Sequence, residues 1–254
     1  MNIQEKVVVI TGACSGLGET TCRELVKSGA KIVAFDLNKE QGEKLQAEIG
    51  EDLQFAVVNV TEEESVKSGI EAAVEKFGRI DVCVNCAGIA PAGKTIGKKG
   101  VLPLENFSQA INVNLIGTFN VLRLAVEQMA KNDPNENGER GVIINTASVA
   151  AYDGQKGQAG YSASKAGVAG MTLPIARDLA NLGVRVMAIA PGIFDTAMMQ
   201  GMSGAVRQPL LDVVQFPKRF GDPAEYAFLV QHIIENTYLN GEVIRLDAAL
   251  RMEP

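Results

Sequence analysis

The sequence has 254 residues, of which 46% are hydrophobic and 26 are glycine, and its formal net charge is −6. A chain of this length can bury a large core, and its negative charge argues against nucleic-acid binding. No apolar run reaches the ~18 residues that a membrane-spanning helix needs, so we expect no membrane partner.

The amino-terminal residues do not indicate a targeting signal. A strand begins by Val7, which leaves no room for a signal peptide, and the residues before it contain no arginine, so a transit peptide is not indicated. We therefore expect a cytoplasmic protein.

The first predicted strand, Lys6–Thr11, leads into three glycines, Gly12, Gly16 and Gly18, and then into a helix over 19–28. Glycines allow a tight turn and close approach of a pyrophosphate, and the helix amino terminus offers free N–H groups. The alternative is an ordinary strand–helix turn, which accounts for any one of these glycines but accounts poorly for all three in this context. We assign the turn to cofactor binding, through Gly12, Ser15, Gly16, Leu17 and Gly18.

The second predicted strand, Lys31–Phe35, is followed by Asp36, 18 residues after Gly18. An acid at this position can accept hydrogen bonds from the adenosine ribose and would repel a 2′-phosphate. Asp36 therefore favours NAD over NADP. Capping the amino terminus of the next helix is a second, compatible role.

Strands and helices then alternate, which predicts an α/β fold: a single-domain, Rossmann-like, doubly wound parallel sheet flanked by helices over residues 1–254. A strand ends at Asn59 and Val60, and another runs from Val82 into Cys86, Ala87 and Gly88. A long helix over 104–130 follows, in which Asn114 has apolar neighbours and is predicted to be buried with a function.

Two of the four cysteines, Cys83 and Cys86, form a Cys-x-x-Cys pair. Residues three apart on a strand point to opposite faces, and the single histidine, His232, is distant in sequence. We expect packing cysteines in a reducing compartment and no metal site.

The loop from Pro91 to Pro103 carries Lys94, Lys98 and Lys99 without an acid among them. Long loops in compact domains are often functional. These lysines are equally consistent with a coenzyme A phosphate site and with a solvated loop.

The pair Tyr161 and Lys165 lies at the start of another predicted helix, one turn apart on one face. A lysine cation beside a phenol favours the phenolate, so we expect the pKa of Tyr161 to be lowered, which suits proton transfer. Ser148 ends the preceding apolar strand, where open α/β sheets bind ligands. A surface Tyr–Lys pair is the alternative.

The last predicted site elements follow a strand that ends in Pro191 and Gly192, with Thr196 shortly after. The segment from Phe194 to Phe220 contains Met198, Met199 and Met202 and is interpreted as a flap over the substrate.

Together these motifs resemble the short-chain dehydrogenase/reductase family over essentially the full length. The resemblance implies that Tyr161 is the general acid and base, that Lys165 lowers its pKa and holds the nicotinamide ribose, and that Ser148 binds the substrate oxygen. It also implies that Asn114 anchors a relay water and that Gln155 faces the substrate. The cofactor would be held by the residues already named at the strand ends: Asn59, Val60, Cys86, Ala87, Gly88, Tyr161, Lys165, Pro191, Gly192 and Thr196.

Within that family, four segments, 142–151, 170–180, 221–227 and 240–247, are similar to type II 3-hydroxyacyl-CoA dehydrogenases. This similarity implies NAD, an acyl-CoA substrate, a homotetramer, and a mitochondrial matrix location if the source is eukaryotic. The alternatives are a 3-oxoacyl-(acyl carrier protein) reductase, a steroid or secondary-alcohol dehydrogenase, and a non-enzymatic dinucleotide-binding scaffold. Cys86 and Asn59 depart from the family pattern, in which asparagine and an acid are usual.

Overall fold

The computed structural model describes residues 1–98, 100–201 and 203–253. Lys99 and Met202, named in the loop and flap predictions, lie outside the described residues, as does the side chain of Met198.

Seven parallel strands form the central sheet: Val7–Thr11 (β1), Lys31–Asp36 (β2), Leu53–Val57 (β3), Val82–Asn85 (β4), Gly141–Thr146 (β7), Val184–Pro191 (β8) and Val243–Leu246 (β9). Their order across the sheet is β3-β2-β1-β4-β7-β8-β9. The order reverses direction after β1, so the carboxyl ends of β1 and β4 border the crevice where doubly wound sheets bind ligands.

A separate antiparallel hairpin, Ile96–Gly97 (β5) with Gly100–Val101 (β6), stands in the loop between β4 and the next helix. The helices are Gly16–Lys27 (α1), Lys39–Ile49 (α2), Glu63–Phe77 (α3), Leu104–Ile111 (α4), Thr118–Met129 (α5), Ala159–Asp178 (α6), Ala197–Gln200 (α7), Gly204–Asp212 (α8) and Pro223–Glu235 (α9).

Alternate residues of each strand enter two apolar cores, one on each face of the sheet. On β1, Val8 and Ile10 pack in the core shared with α1, α2 and α9, whereas Val7 and Val9 pack in the core shared with α3, α5 and α6. Both faces are therefore covered, as the near-continuous apolar strands require. The doubly wound parallel sheet predicted from the sequence is confirmed.

The long helix predicted over 104–130 is interrupted. A π-helical turn, Asn112–Gly117, separates α4 from α5. A π-helical turn contains one residue more than an α-helical turn. The helical periodicity of the sequence does not predict it, since Asn114 in this turn makes its side-chain contacts with residues distant in sequence.

The segment predicted to be a flap contains two short helices, α7 and α8. No helix in the described part of the chain is long and apolar enough to cross a bilayer.

Candidate active site

The glycine turn between β1 and α1 is closely packed against the end of β4. A Cβ added at Gly12 would lie 2.9 Å from the Ala87 Cα, and one at Gly18 would lie 2.2 Å from the Gly12 carbonyl oxygen. Gly12 and Gly16 also adopt positive φ, +64° and +52°, which side chains disfavour. The turn therefore requires glycine and leaves the amino terminus of α1 open to an anion.

A cavity of about 490 Å³ lies over this turn. Its lining includes the predicted cofactor residues at the carboxyl ends of three more strands. The predicted residues that it brings together are Gly12, Ser15, Gly16, Leu17, Gly18, Asp36, Asn59, Val60, Cys86, Ala87, Gly88 and Thr196. Sequence analysis missed Phe35, Leu37, Val58, Ile89 and Val113, which also line it.

Asp36 is held at the far end of this cavity by main-chain donors. Its carboxylate accepts from Cys14 N–H at 3.0 Å and from Asn38 N–H at 2.9 Å. Asn38, not Asp36, caps α2, because its side chain accepts from Gln41 N–H at 3.2 Å. The carboxylate is therefore available at the cavity wall, where it suits a ribose diol and disfavours a 2′-phosphate.

The side chain of Asn59 forms hydrogen bonds within the turn that follows β3. Its side-chain oxygen accepts from the Thr61 N–H at 3.1 Å and from the Thr61 hydroxyl at 2.8 Å. Both lone pairs of that oxygen are therefore used. An adenine amino group would have to displace the Thr61 hydroxyl.

Cys83 and Cys86 point to opposite faces of the sheet, as their spacing predicts. The Cys86 sulfur lies 3.6 Å from the Tyr226 hydroxyl and 3.6 Å from the Thr146 hydroxyl, which are 2.7 Å from each other. Tyr226 is fully buried on α9. The sequence did not predict its contact with Cys86, because the two residues are far apart along the chain. Among the described residues, all four thiols are free, and no group of histidine, cysteine or acidic residues could hold a metal ion.

Ser148, Tyr161 and Lys165 meet beyond the end of β7. Ser148 caps a short 3-10 turn, Val149–Ala151, because its hydroxyl oxygen accepts a hydrogen bond from the Ala150 N–H at 3.1 Å. The Lys165 ammonium donates to the Thr146 carbonyl oxygen at 2.6 Å and lies 5.9 Å from the Tyr161 ring centroid. A surface Tyr–Lys pair is excluded, since Lys165 is buried and Tyr161 is half-buried.

The predicted lowering of the Tyr161 pKa is wrong for this structure. Burial raises the pKa of the phenol, and the hydrogen bond with Ser148 only partly opposes it. Burial also lowers the pKa of Lys165 to about 8. The lysine is enclosed by the same packing that encloses the phenol, so desolvation dominates over the neighbouring charge.

Asn114 lies in the π-helical turn with its side chain fully buried. Its oxygen accepts from Ile89 N–H at 2.8 Å, and its nitrogen donates to the Ile89 carbonyl at 2.9 Å and the Ser164 hydroxyl at 3.0 Å. These bonds tie the loop after β4 to α6, and only the second lone pair of the side-chain oxygen remains for water. A π turn at such a place is a frequent mark of a functional site.

Pro191 and Gly192 lie at the end of β8, where a Cβ on Gly192 would be 2.9 Å from the Asp247 Cα. Gly192 therefore lets β8 approach the end of β9. Thr196 follows at the cavity wall, and its Cγ2 would be 3.4 Å from a Cβ on Gly16.

Gln155 lies in the loop between the 3-10 turn and α6. Its side-chain nitrogen donates to the Glu253 carbonyl at 3.1 Å, so its contacts include the C-terminal segment. Lys94 and Lys98 are exposed on the hairpin loop, which is joined to the Gln155 loop by the Gly93 N–H bond to the Gly157 carbonyl at 2.8 Å.

The comparison with known proteins agrees with this geometry. The model of the short chain dehydrogenase family matches residues 6–206. The chain belongs to this family.

Among curated proteins, 3-hydroxyacyl-CoA dehydrogenase type-2 of Bos taurus is 56% identical over 255 residues, covering 100% of this chain and 98% of the relative. A solved structure of 3-hydroxyacyl-CoA dehydrogenase type-2 from Mycobacterium avium matches with a TM-score of 0.95 and 40% identity, covering 100% of this chain and 98% of that one. A 3-ketoacyl-(acyl-carrier-protein) reductase from Brucella melitensis, complexed with NADH, matches with a TM-score of 0.87 and 28% identity over 98% of this short chain dehydrogenase and 100% of the reductase.

Proposed function

We propose that the protein is an NAD-dependent dehydrogenase that interconverts 3-hydroxyacyl-CoA and 3-oxoacyl-CoA. The observation that carries this proposal is the contact of the Ser148, Tyr161 and Lys165 group with a glycine-lined cavity that ends at Asp36. These three residues do not line the cavity themselves, but a Cβ on the lining residue Gly88 would lie 3.6 Å from Lys165 Nζ. The acyl-CoA class comes from the relatives named 3-hydroxyacyl-CoA dehydrogenase type-2, one of which is 56% identical over the whole chain.

The cofactor would lie along the cavity, with its pyrophosphate at the glycine turn and its adenosine ribose at Asp36. The turn fits such a group, since its glycines leave no side chain between the α1 amino terminus and the cavity. When bound, NAD supplies the hydride acceptor for oxidation and the hydride donor for reduction.

Tyr161 would take the proton of the substrate hydroxyl during oxidation and return it during reduction. Ser148 would bind the same substrate oxygen and keep it within reach of the phenol. Lys165 would contact the nicotinamide ribose, and its positive charge would favour the phenolate, in opposition to the desolvation that raises the pKa of Tyr161. Asn114 would hold Ile89 and Ser164 in place, with a relay water on its remaining lone pair.

The coenzyme A end of the substrate is proposed to face Lys94, Lys98 and Lys99. The support is the Gly93–Gly157 hydrogen bond, which sets the hairpin beside the loop that carries Gln155 and the exposed Lys156. Flexible ammonium groups can meet the several phosphate charges without fixed geometry.

We further propose that the whole chain acts as one domain within a homotetramer. The support is a set of exposed apolar residues along α4, the π turn and α5, including Ile116 at 50% and Phe119 at 47% exposure. The four free thiols suit a reducing compartment, such as the cytoplasm or the mitochondrial matrix of a eukaryote.

Initial rates over a series of 3-oxoacyl-CoA chain lengths, with NADH and NADPH in parallel, test the proposal. We expect turnover with acetoacetyl-CoA, a preference for NADH, and a KM for the acyl-CoA that rises with salt as the lysines are screened. Tyr161→Phe should abolish turnover while NADH binding stays within about twofold, since the ring remains but the transferable proton does not. Turnover of acyl carrier protein substrates alone, or wild-type rates in Tyr161→Phe, would reject the proposal.

A further inference from the structure

The C-terminal segment, residues 247–253, packs against the loop that follows Ser148. Leu250 is fully buried and forms an apolar cluster with Val149, the residue next to Ser148, and with Val214 just after α8. The segment therefore contacts both the catalytic end of the sheet and the base of the predicted flap.

Arg245 on β9 joins these parts through one guanidinium group. Its Nη2 donates to the Asp153 carboxylate and to the Leu250 carbonyl at 3.1 Å, and its Nε donates to the Asp247 carboxylate at 2.7 Å. The guanidinium also lies 5.4 Å from the centre of the Tyr152 ring. We call Arg245, Asp153 and Asp247 the arginine clamp.

The clamp is largely removed from water. The side chains of Arg245, Asp153 and Asp247 are 22%, 18% and 8% exposed. Planar, charge-assisted bonds of this kind hold geometry more strictly than exposed ion pairs do. The clamp therefore fixes the direction of the loop at Tyr152 and Asp153.

The loop that the clamp holds joins Ser148 to Gln155, the two residues to which the family resemblance assigns substrate contacts. Asp153 is five residues after Ser148 and two before Gln155, and the chain between Ala151 and Ala159 forms no helix or strand. A second hydrogen bond joins this loop to the C-terminal segment, because the Gln155 side chain donates to the Glu253 carbonyl at 3.1 Å. The residues that line the described cofactor cavity include no member of the clamp.

We propose that Arg245 is a positioning residue for substrate binding, which holds the loop from Tyr152 to Gln155 in its binding geometry. The inference rests on the proposed function, because it takes a 3-oxoacyl-CoA as the ligand. A small displacement of a substrate-positioning loop can cost a large factor in productive binding. We expect loss of Arg245 to leave NADH binding unaltered, since no member of the clamp lines the cofactor cavity.

The test compares Arg245→Gln with a matched control, Arg251→Gln. The control also removes a guanidinium that donates to Asp247 and Leu250, but Arg251 is 61% exposed and its donors do not reach Asp153. We expect Arg245→Gln to raise the KM for acetoacetyl-CoA about tenfold, with the dissociation constant of NADH within twofold, and Arg251→Gln to change neither by more than about twofold. Asp153→Asn should reproduce most of the effect, and the double variant should lose less than the product of the two single losses.

Hydrogen exchange in the absence of substrate tests the role of the clamp independently of the proposed function. Amides over 149–158 should exchange faster in Arg245→Gln than in the wild type or the control, while those of the glycine turn do not. A lower melting temperature with unchanged KM and unchanged exchange of the loop would overturn the proposal, as would equal losses of substrate and NADH binding. If the wild type reduces no acyl-CoA, the proposed function fails, and exchange over 149–158 alone decides whether Arg245 holds the loop.

Discussion

Lys165 carries its ammonium group into a buried position beside Tyr161, where its charge is costly. Burial lowers its pKa from 10.5 to about 8, so the unfolded chain binds a proton more readily than the folded one between these values. The cost is fully present below pH 8 and disappears as the pH rises through 10.5, so this lysine makes the folded state more stable at higher pH.

The residue-scale prediction is that the unfolding free energy of the wild type rises relative to Lys165→Met by about 2–3 kcal/mol between pH 7 and pH 10. Chemical denaturation of both proteins at several pH values measures it. Lys44→Met is the control, since it makes the same substitution at a lysine whose side chain is 68% exposed. A pH-independent difference for Lys165→Met would show that burial does not perturb the lysine.

Helix α9 ends against Arg185, which comes from the neighbouring strand β8. The guanidinium donates to the carbonyls of Ile233 and Ile234, both at 2.9 Å, and to the Glu139 carboxylate at 2.7 Å. It also donates to the carbonyls of Asn236 and Leu239. These groups are buried or partly buried, so one side chain satisfies a helix carboxyl terminus, the following turn and an acid together.

At the element scale, we predict that Arg185→Met lowers the free energy of unfolding by about 3–5 kcal/mol, because it leaves several carbonyls and one oxygen of the buried Glu139 carboxylate without a donor. The other Glu139 oxygen keeps its ion pair with the Met1 ammonium at 3.0 Å. Urea denaturation measures the loss. Arg219→Met removes an exposed pair with Glu225 and should lower the free energy of unfolding far less than Arg185→Met does. Equal losses in the two variants would mean that the α9 terminus is satisfied in another way.

The surface of α4, the π turn and α5 carries four exposed large apolar side chains. Leu104 is 75% and Phe107 is 37% exposed on α4, and Ile116 in the π turn and Phe119 on α5 follow them along the chain. Contiguous exposed apolar residues usually mark an interface.

At the scale of the whole molecule, we predict that Ile116→Lys combined with Phe119→Lys converts the proposed tetramer into smaller species. Burying two lysine charges without partners is unfavourable, so association through this surface should be lost. Sedimentation velocity at micromolar protein measures the change. Tyr238→Lys, at a residue that is 99% exposed outside these helices, should leave the assembly intact; an unaltered double variant would place the interface elsewhere.

The sequence by itself determined the features that depend on neighbours along the chain. The apolar strands, the glycine turn after β1 and the acid at the end of β2 follow from periodicity and backbone freedom, which are local properties. The spacing of Tyr161 and Lys165 likewise predicts one helix face, and the family resemblance that these motifs carry is confirmed by the match over residues 6–206.

Only the tertiary structure decided what depends on groups far apart in sequence. The π turn in the predicted long helix, the bonds from Asn114 to Ile89 and the Arg245–Asp153 pair join residues from 25 to 92 positions apart. The direction of the Tyr161 pKa also belongs here, because it depends on how much water the packing removes and not on the lysine one turn away. Periodicity can place a side chain on the inner face of an element, but desolvation and long-range partners are set only when the elements pack together.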